Sequence, residues 1–147
     1  MSVATRQYAT FYLDKEYLGV DVLRVQEVLR SQAMTSVPRA PHYIAGLINL
    51  RGQIVTAVDL RPRLGMPDRN PENEPMNVIV TTSEGPVSLL VDEIGDVLEV
   101  YSNSLESPPD TLQGPVLNYV QGIHKLPNRL LAVLDVDRLA LGSEEAK

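Results

Sequence analysis

The chain has 147 residues, no cysteine, 13 basic against 19 acidic side chains and a net charge of −6, with a mean hydropathy of −0.07 and a pI near 4.8. Disulfides, thiol chemistry and thiolate metal sites are thereby excluded, and the acidic balance opposes nucleic-acid binding through repulsion from phosphates. No run of about 18 apolar residues marks a membrane span, and no charged-then-apolar segment marks a signal peptide, so a globular cytoplasmic protein with protein partners and no direct membrane insertion is expected.

Residues 1–6 read as a loose tail. Residues 8–13 and 16–20 are apolar, β-favouring runs around Asp14-Lys15, which predicts two strands and a turn. Val22, Val25, Val28 and Leu29 then fall on one helical face with Asp21 placed to cap it, so a short helix is predicted at about 22–30. Pro38 and Pro41 make 31–42 a rigid connection into the stretch 43–60. There, two apolar runs flank Arg51-Gly52-Gln53, the pattern of a β-hairpin. One helical turn is expected within 60–66, followed by a polar, proline-punctuated loop at 67–75. Residues 78–82 and 87–91 repeat the strand-turn-strand pattern. The segment 91–100 echoes 20–28 with a one-residue gap, although Gly95 disfavours a helix there. A loop at 102–116, a second hairpin, a short helix at about 136–141 and an acidic tail complete the chain.

A shift of 76 positions lays Tyr43 on Tyr119, Gly46 on Gly122, Leu47 on Ile123, Ile54 on Leu130 and Asp59 on Asp135 without a gap. Two copies of one supersecondary unit are implied. At the tips, Pro127-Asn128 stands where the first copy has Arg51-Gly52. If both turns share one geometry, Arg51 takes an ordinary turn position and Gly52 the left-handed one. Short apolar strands with Gly and Pro at the corners fit small closed barrels. The expected fold class is mainly β: two SH3-like five-stranded barrels with short helices, forming one domain over 1–147. Its halves would span about 8–76 and 77–140, share a hydrophobic seam and exchange a terminal strand.

Neither His42 nor His124 has metal-ligand spacing, so each reads as a surface or hydrogen-bonded structural group, and no metal or other cofactor is expected. The carboxylate pairs Asp92/Glu93 and Asp135/Asp137 are the only hydrolase-like feature. Adjacent strand residues point to opposite faces, and 135 and 137 read as a hairpin exit and a helix cap. No nucleophile-elbow, phosphate-loop, dinucleotide or kinase motif is present, so no catalytic residue is assigned.

Four blocks in order, Gly19-Val-Asp-Val-Leu-Arg-Val-Gln-Glu-Val28, Val37-Pro-Arg-Ala-Pro41, the stretch from Tyr43 to Arg61, and Leu90-Val-Asp-Glu-Ile-Gly-Asp-Val97, resemble the CheW family of bacterial chemotaxis coupling proteins. The resemblance covers about residues 8–140. It implies a non-enzymatic scaffold joining a CheA-type histidine kinase to the cytoplasmic tips of methyl-accepting chemoreceptors, recruited to membrane-associated receptor arrays. Carried over by position, the receptor-facing groove would include Val25, Gln26, Glu27, Arg51, Gly52 and Val97. Gly46, Leu47 and Ile54 would face the kinase. A CheW-like regulatory domain of a larger kinase or receiver-linked adaptor is the alternative, with the absence of kinase, phosphotransfer and receiver blocks favouring a stand-alone adaptor.

Overall fold

Aromatic and β-branched residues on both arms of the Asp14-Lys15 turn form an antiparallel hairpin, β1 (Thr5–Leu13) and β2 (Glu16–Asp21). In the computed structural model, which describes residues 4–108 and 114–145, the next segment departs from expectation. Residues 22–30 are not an α-helix. A single 3-10 turn at Val22–Arg24, capped by the Asp21 carboxylate on the Leu23 amide at 2.9 Å, gives way to strand β3 (Val25–Leu29). Its valines satisfy helical spacing, yet β-branched side chains suit a pleated surface, and pairing with a neighbouring strand completes the backbone hydrogen bonds of β3.

The predicted hairpin is β4 (Ile44–Leu50) and β5 (Gln53–Asp59), followed by the one-turn helix α1 (Leu60–Arg63). Beyond the proline loop come β6 (Met76–Thr82), β7 (Gly85–Val91) and β8 (Glu93–Tyr101). The expected 102–116 loop carries short 3-10 turns at its two ends and the strand β9 (Leu105–Glu106). Its residues 109–113 lie outside the described residues, as do 1–3 and 146–147. The second hairpin is β10 (Val120–Lys125) and β11 (Leu130–Leu134), and α2 (Val136–Glu145) takes up residues expected in the acidic tail.

Two sheets result, ordered β8-β1-β2-β11-β10-β9 and β3-β6-β7-β5-β4. They do not follow the sequence halves 8–76 and 77–140. Strands β3 to β7 build one sheet, and β1, β2 and β8 to β11 the other, so more than a terminal strand crosses between the halves. Parallel pairings of β5 with β7 and of β11 with β2 lock the exchange. The expected seam is present: Phe11, Leu18 and Val20 of one sheet share a core with Val58, Val80 and Leu89 of the other. Each sheet also has its own apolar cluster, around Tyr17 and Leu131 in the first and around Ile48 and Leu90 in the second.

The duplication extends to hydrogen bonds. The Asp59 amide donates to the Tyr43 carbonyl at 2.8 Å, and the Asp135 amide to that of Tyr119 at 2.7 Å. A register break between Ile44 and Gly46 recurs between Val120 and Gly122. Asp59 and Asp135 then cap α1 and α2, accepting from the amides of Arg61 at 3.2 Å and Arg138 at 3.1 Å. Asp137 is not the cap. It accepts from Arg24 at 2.6 Å and from the Ser83 amide at 2.9 Å, and the Arg24 hydrogen bond holds its carboxyl below the usual range. Between the copies, the Arg63 guanidinium lies 4.1 Å from the Tyr43 ring centre and 4.6 Å from that of Tyr119, so both tyrosines of the repeat face one cation.

A nearly buried ionic cluster ties the sheets together. Arg61 donates at 2.6 Å both to Asp14, in the β1–β2 turn, and to Asp92, at the entry to β8. Arg69 donates to Asp92 at 3.0 Å and to Asp59 at 3.3 Å. Burial pushes the Asp92 carboxyl up, but hydrogen bonds from Arg61, the Asp14 amide and Arg69 outweigh it, and its pKa falls below the usual value.

Removing the Asp92 charge leaves two sheltered guanidiniums short of a partner. Asp92→Asn should lower unfolding free energy at pH 7 by about 2–3 kcal/mol, since Asp14 and Asp59 still answer part of the charge. The stabilisation from Asp92 is present above the unfolded carboxylate pKa of about 3.9 and is lost as pH falls through the lower folded value. Urea denaturation of the variant below pH 4 should accordingly show a shallower pH dependence than wild type. At Gly46 an added Cβ would sit 2.7 Å from the Thr35 carbonyl oxygen. Gly46→Ala should cost about 1–3 kcal/mol, measured as a lower denaturation midpoint with an unchanged slope.

Candidate functional site

The outer strands of the five-stranded sheet are β3 and β4, at opposite ends of its hydrogen-bonded order. Nevertheless Arg51, at the tip beyond β4, donates from Nη2 to Glu27 Oε2 on β3. The sheet therefore curls until its two edges lie within side-chain reach, the closure of a small barrel. In the other sheet the outer strands β8 and β9 are joined directly by the Ser102–Ser104 turn.

The tip itself is a two-residue turn closed by the pair Leu50 and Gln53. Arg51 has φ 52° and Gly52 φ 86°, so both central residues are left-handed, which matches the right-handed twist of the flanking strands. The expected division, with Arg51 in an ordinary position, does not hold. Nor do the two copies share a tip. The second hairpin closes the equivalent two-residue span through the Leu126 amide and the Arg129 carbonyl at 2.9 Å, but neither Pro127 nor Asn128 is among the positive-φ residues. A left-handed arginine costs about 1–2 kcal/mol, and one local hydrogen bond offsets part of it: the Gly52 amide donates to Asn49 Oδ1 at 3.0 Å.

Around this tip the receptor-facing residues named from sequence separate into groups. Glu27 and Arg51 are in contact, and Gln26 is fixed beside them by donating to Thr81 Oγ1 at 2.9 Å. The Arg51 side chain remains 69% exposed, so its ion pair contributes little to stability and the guanidinium is available to a partner. Val25 turns inward against the shared core. Val97 is 57% exposed but lies on β8 of the other sheet, paired with Ala9. Of the three residues assigned to a kinase face, Gly46 is buried beneath Thr35, and Leu47 is half-buried in a bridge to Thr35. Ile54 alone of these is exposed, at 60%, directly across from Asn49.

His42 is a surface group 3.2 Å from Asp68. His124 is buried, with Nδ1 2.9 Å from Ser104 Oγ and Nε2 3.3 Å from the Tyr8 hydroxyl, and burial pulls its pKa down. Sequence reasoning missed Asn49, Val28 and the Arg61 cluster. Asn49 had a signal, since Asn three residues before a turn glycine is positioned to accept its amide. Val28, 41% exposed on β3, was hidden by the helical reading.

Two kindred β units, an exposed apolar and charged tip and an interior occupied by structural ion pairs define a protein-docking module. The CheW-like domain family matches residues 7–143. The chain is 35% identical to the chemotaxis protein CheW of Bacillus subtilis, over 84% of this chain and 78% of that protein. It is 29% identical to the chemotaxis protein CheW of Treponema pallidum, over 96% and 85%. Among solved structures, the scaffolding protein TtCheW from Thermoanaerobacter tengcongensis superposes with a TM-score of 0.84 at 29% identity, covering 92% of each chain. The chain belongs to the CheW-like family of non-catalytic chemotaxis adaptors. Among the described residues no helix is long and apolar enough to cross a membrane.

Proposed function

We propose that this protein couples the cytoplasmic tips of methyl-accepting chemoreceptors to a CheA-type histidine kinase, acting as a scaffold that performs no chemistry itself. The observation that carries this reading is the tip of the β4–β5 hairpin. A guanidinium is held out on a short turn, mostly exposed, at the closing edge of a sheet that also exposes Val28 on β3. A helical receptor tip offers what such a surface takes: apolar side chains for the valines, and carboxylates or main-chain carbonyls for the arginine. Val25, Gln26, Glu27, Arg51, Gly52 and Val97 make up the proposed receptor face. Val25 and Gly52 act there through backbone placement, and Val97 extends the face onto the second sheet. For the kinase, Ile54 is the proposed contact, while Gly46 and Leu47 shape the strand that presents it. Attachment to the membrane follows from the receptor, with no insertion of the adaptor.

A charge-assisted hydrogen bond contributes about 1.5–3 kcal/mol once desolvated, so Arg51→Ala should weaken receptor binding about tenfold or more. Calorimetric titration with a soluble receptor-tip fragment, beside a thermal melt, measures this. The expected outcome is lost affinity at an unchanged melting temperature. Wild-type affinity would return Arg51 to the role of a solvated turn residue.

A further inference from the structure

We infer that Asn49 is the residue that positions Arg51 for docking, by holding the hairpin tip in its left-handed form; this rests on the reading of Arg51 as a receptor contact. The mirror-image two-residue turn seen here has positive φ at both central positions. Gly52 accepts that freely, whereas an arginine at φ 52° does so only when its surroundings impose it. Asn49 supplies the constraint. Its Oδ1 receives the Gly52 amide at 3.0 Å, spanning Leu50 and Arg51 and fixing the direction in which the Arg51 Cα–Cβ bond leaves the turn. Glu27 then meets the far end of the side chain.

The molecule contains its own comparison. At the position of Asn49 the second copy has Lys125, whose ammonium reaches Glu106 at 3.3 Å. That tip has no residue at positive φ, although Leu126 and Arg129 close the same two-residue span. Pro127 stands at the place of Arg51, and Arg129 at the place of Gln53. Arg129 donates to the Tyr12 hydroxyl at 2.8 Å, and its guanidinium lies 3.6 Å from the centre of the Tyr17 ring. Within one duplicated unit, the copy with a side-chain acceptor at this position has a left-handed turn, and the copy without one does not.

Calorimetric titration of a soluble receptor-tip fragment into wild type, Asn49→Ala, Asn49→Asp, Arg51→Ala and the Asn49→Ala/Arg51→Ala pair tests this. Backbone scalar coupling at residue 51 in the free proteins is the second readout. Asn49→Ala should weaken binding about fivefold and change the coupling. Asn49→Asp keeps the acceptor oxygen and should restore both. In the Arg51→Ala background, Asn49→Ala should have no further effect. Should Asn49→Ala melt early, Asn49→Gln, whose amide is one methylene too long for the turn, replaces it. An unchanged coupling at residue 51, or equal weakening with and without Arg51, overturns the inference. Should Arg51→Ala itself bind as wild type, the receptor reading fails, while the coupling still decides whether Asn49 sets the turn.

Discussion

The parallel pairings of β5 with β7 and of β11 with β2 set the arrangement of everything else. Antiparallel hairpins form locally, whereas a parallel pair needs a long crossover between its strands. In the register Thr56 to Val87 through Asp59 to Leu90, the exit strand of the first hairpin is fixed on a strand from beyond the proline loop. Ala132 and Val133 do the same against Leu18 and Gly19 for the second hairpin. Each hairpin is thereby anchored at its exit. Because the two sheets interleave the sequence halves, neither can form without strands from the other, and a common apolar seam follows.

Charge is distributed in keeping with that arrangement. Where the units join, Arg61, Arg63 and Arg69 are nearly buried and fully occupied, by carboxylates for the first and third and by tyrosine faces and backbone carbonyls for the second. Such groups are costly to leave unpaired, so they fix the relation between the sheets. At the hairpin tip the reverse holds. The Arg51–Glu27 pair is exposed, weak, and able to exchange one partner for another at small cost. An adaptor needs both: a frame that does not yield on binding and a surface whose hydrogen bonds are not already committed.

Much of this was legible in the residues. The 76-residue shift predicted the shared surroundings of Tyr43 and Tyr119 and the matching roles of Asp59 and Asp135, and the structure adds the paired register breaks at Gly46 and Gly122. What the repeat could not convey was pairing across the halves, because β1–β2 and β6–β7 look alike in sequence whichever sheet they join. The segment 22–30 was misread for a related reason. Val25, Val28 and Leu29 fit a helical face as well as a strand, and only the open edge of β6 decides between them. At the tip, Arg51-Gly52 marked a turn, but the left-handed arginine depends on the Asn49 side chain and on the closing pair, neither of which a pattern of apolar and polar residues records. The Arg61 cluster escaped for want of any local signature, since its members come from four separate stretches of chain.

The central claim is that partners are gripped at the β3 edge and the β4–β5 tip, away from the polar cleft lined by Tyr12, Asp14, Arg61 and Asp92. Amide chemical-shift mapping of the labelled protein, titrated with a soluble chemoreceptor-tip fragment, addresses it most directly. Perturbations are expected at residues 25–28 and 49–53, with an extension to Val97. Shifts confined to the Asp14–Arg61–Asp92 cleft, or spread over the β10–β11 hairpin with the β4–β5 tip unaffected, would contradict it.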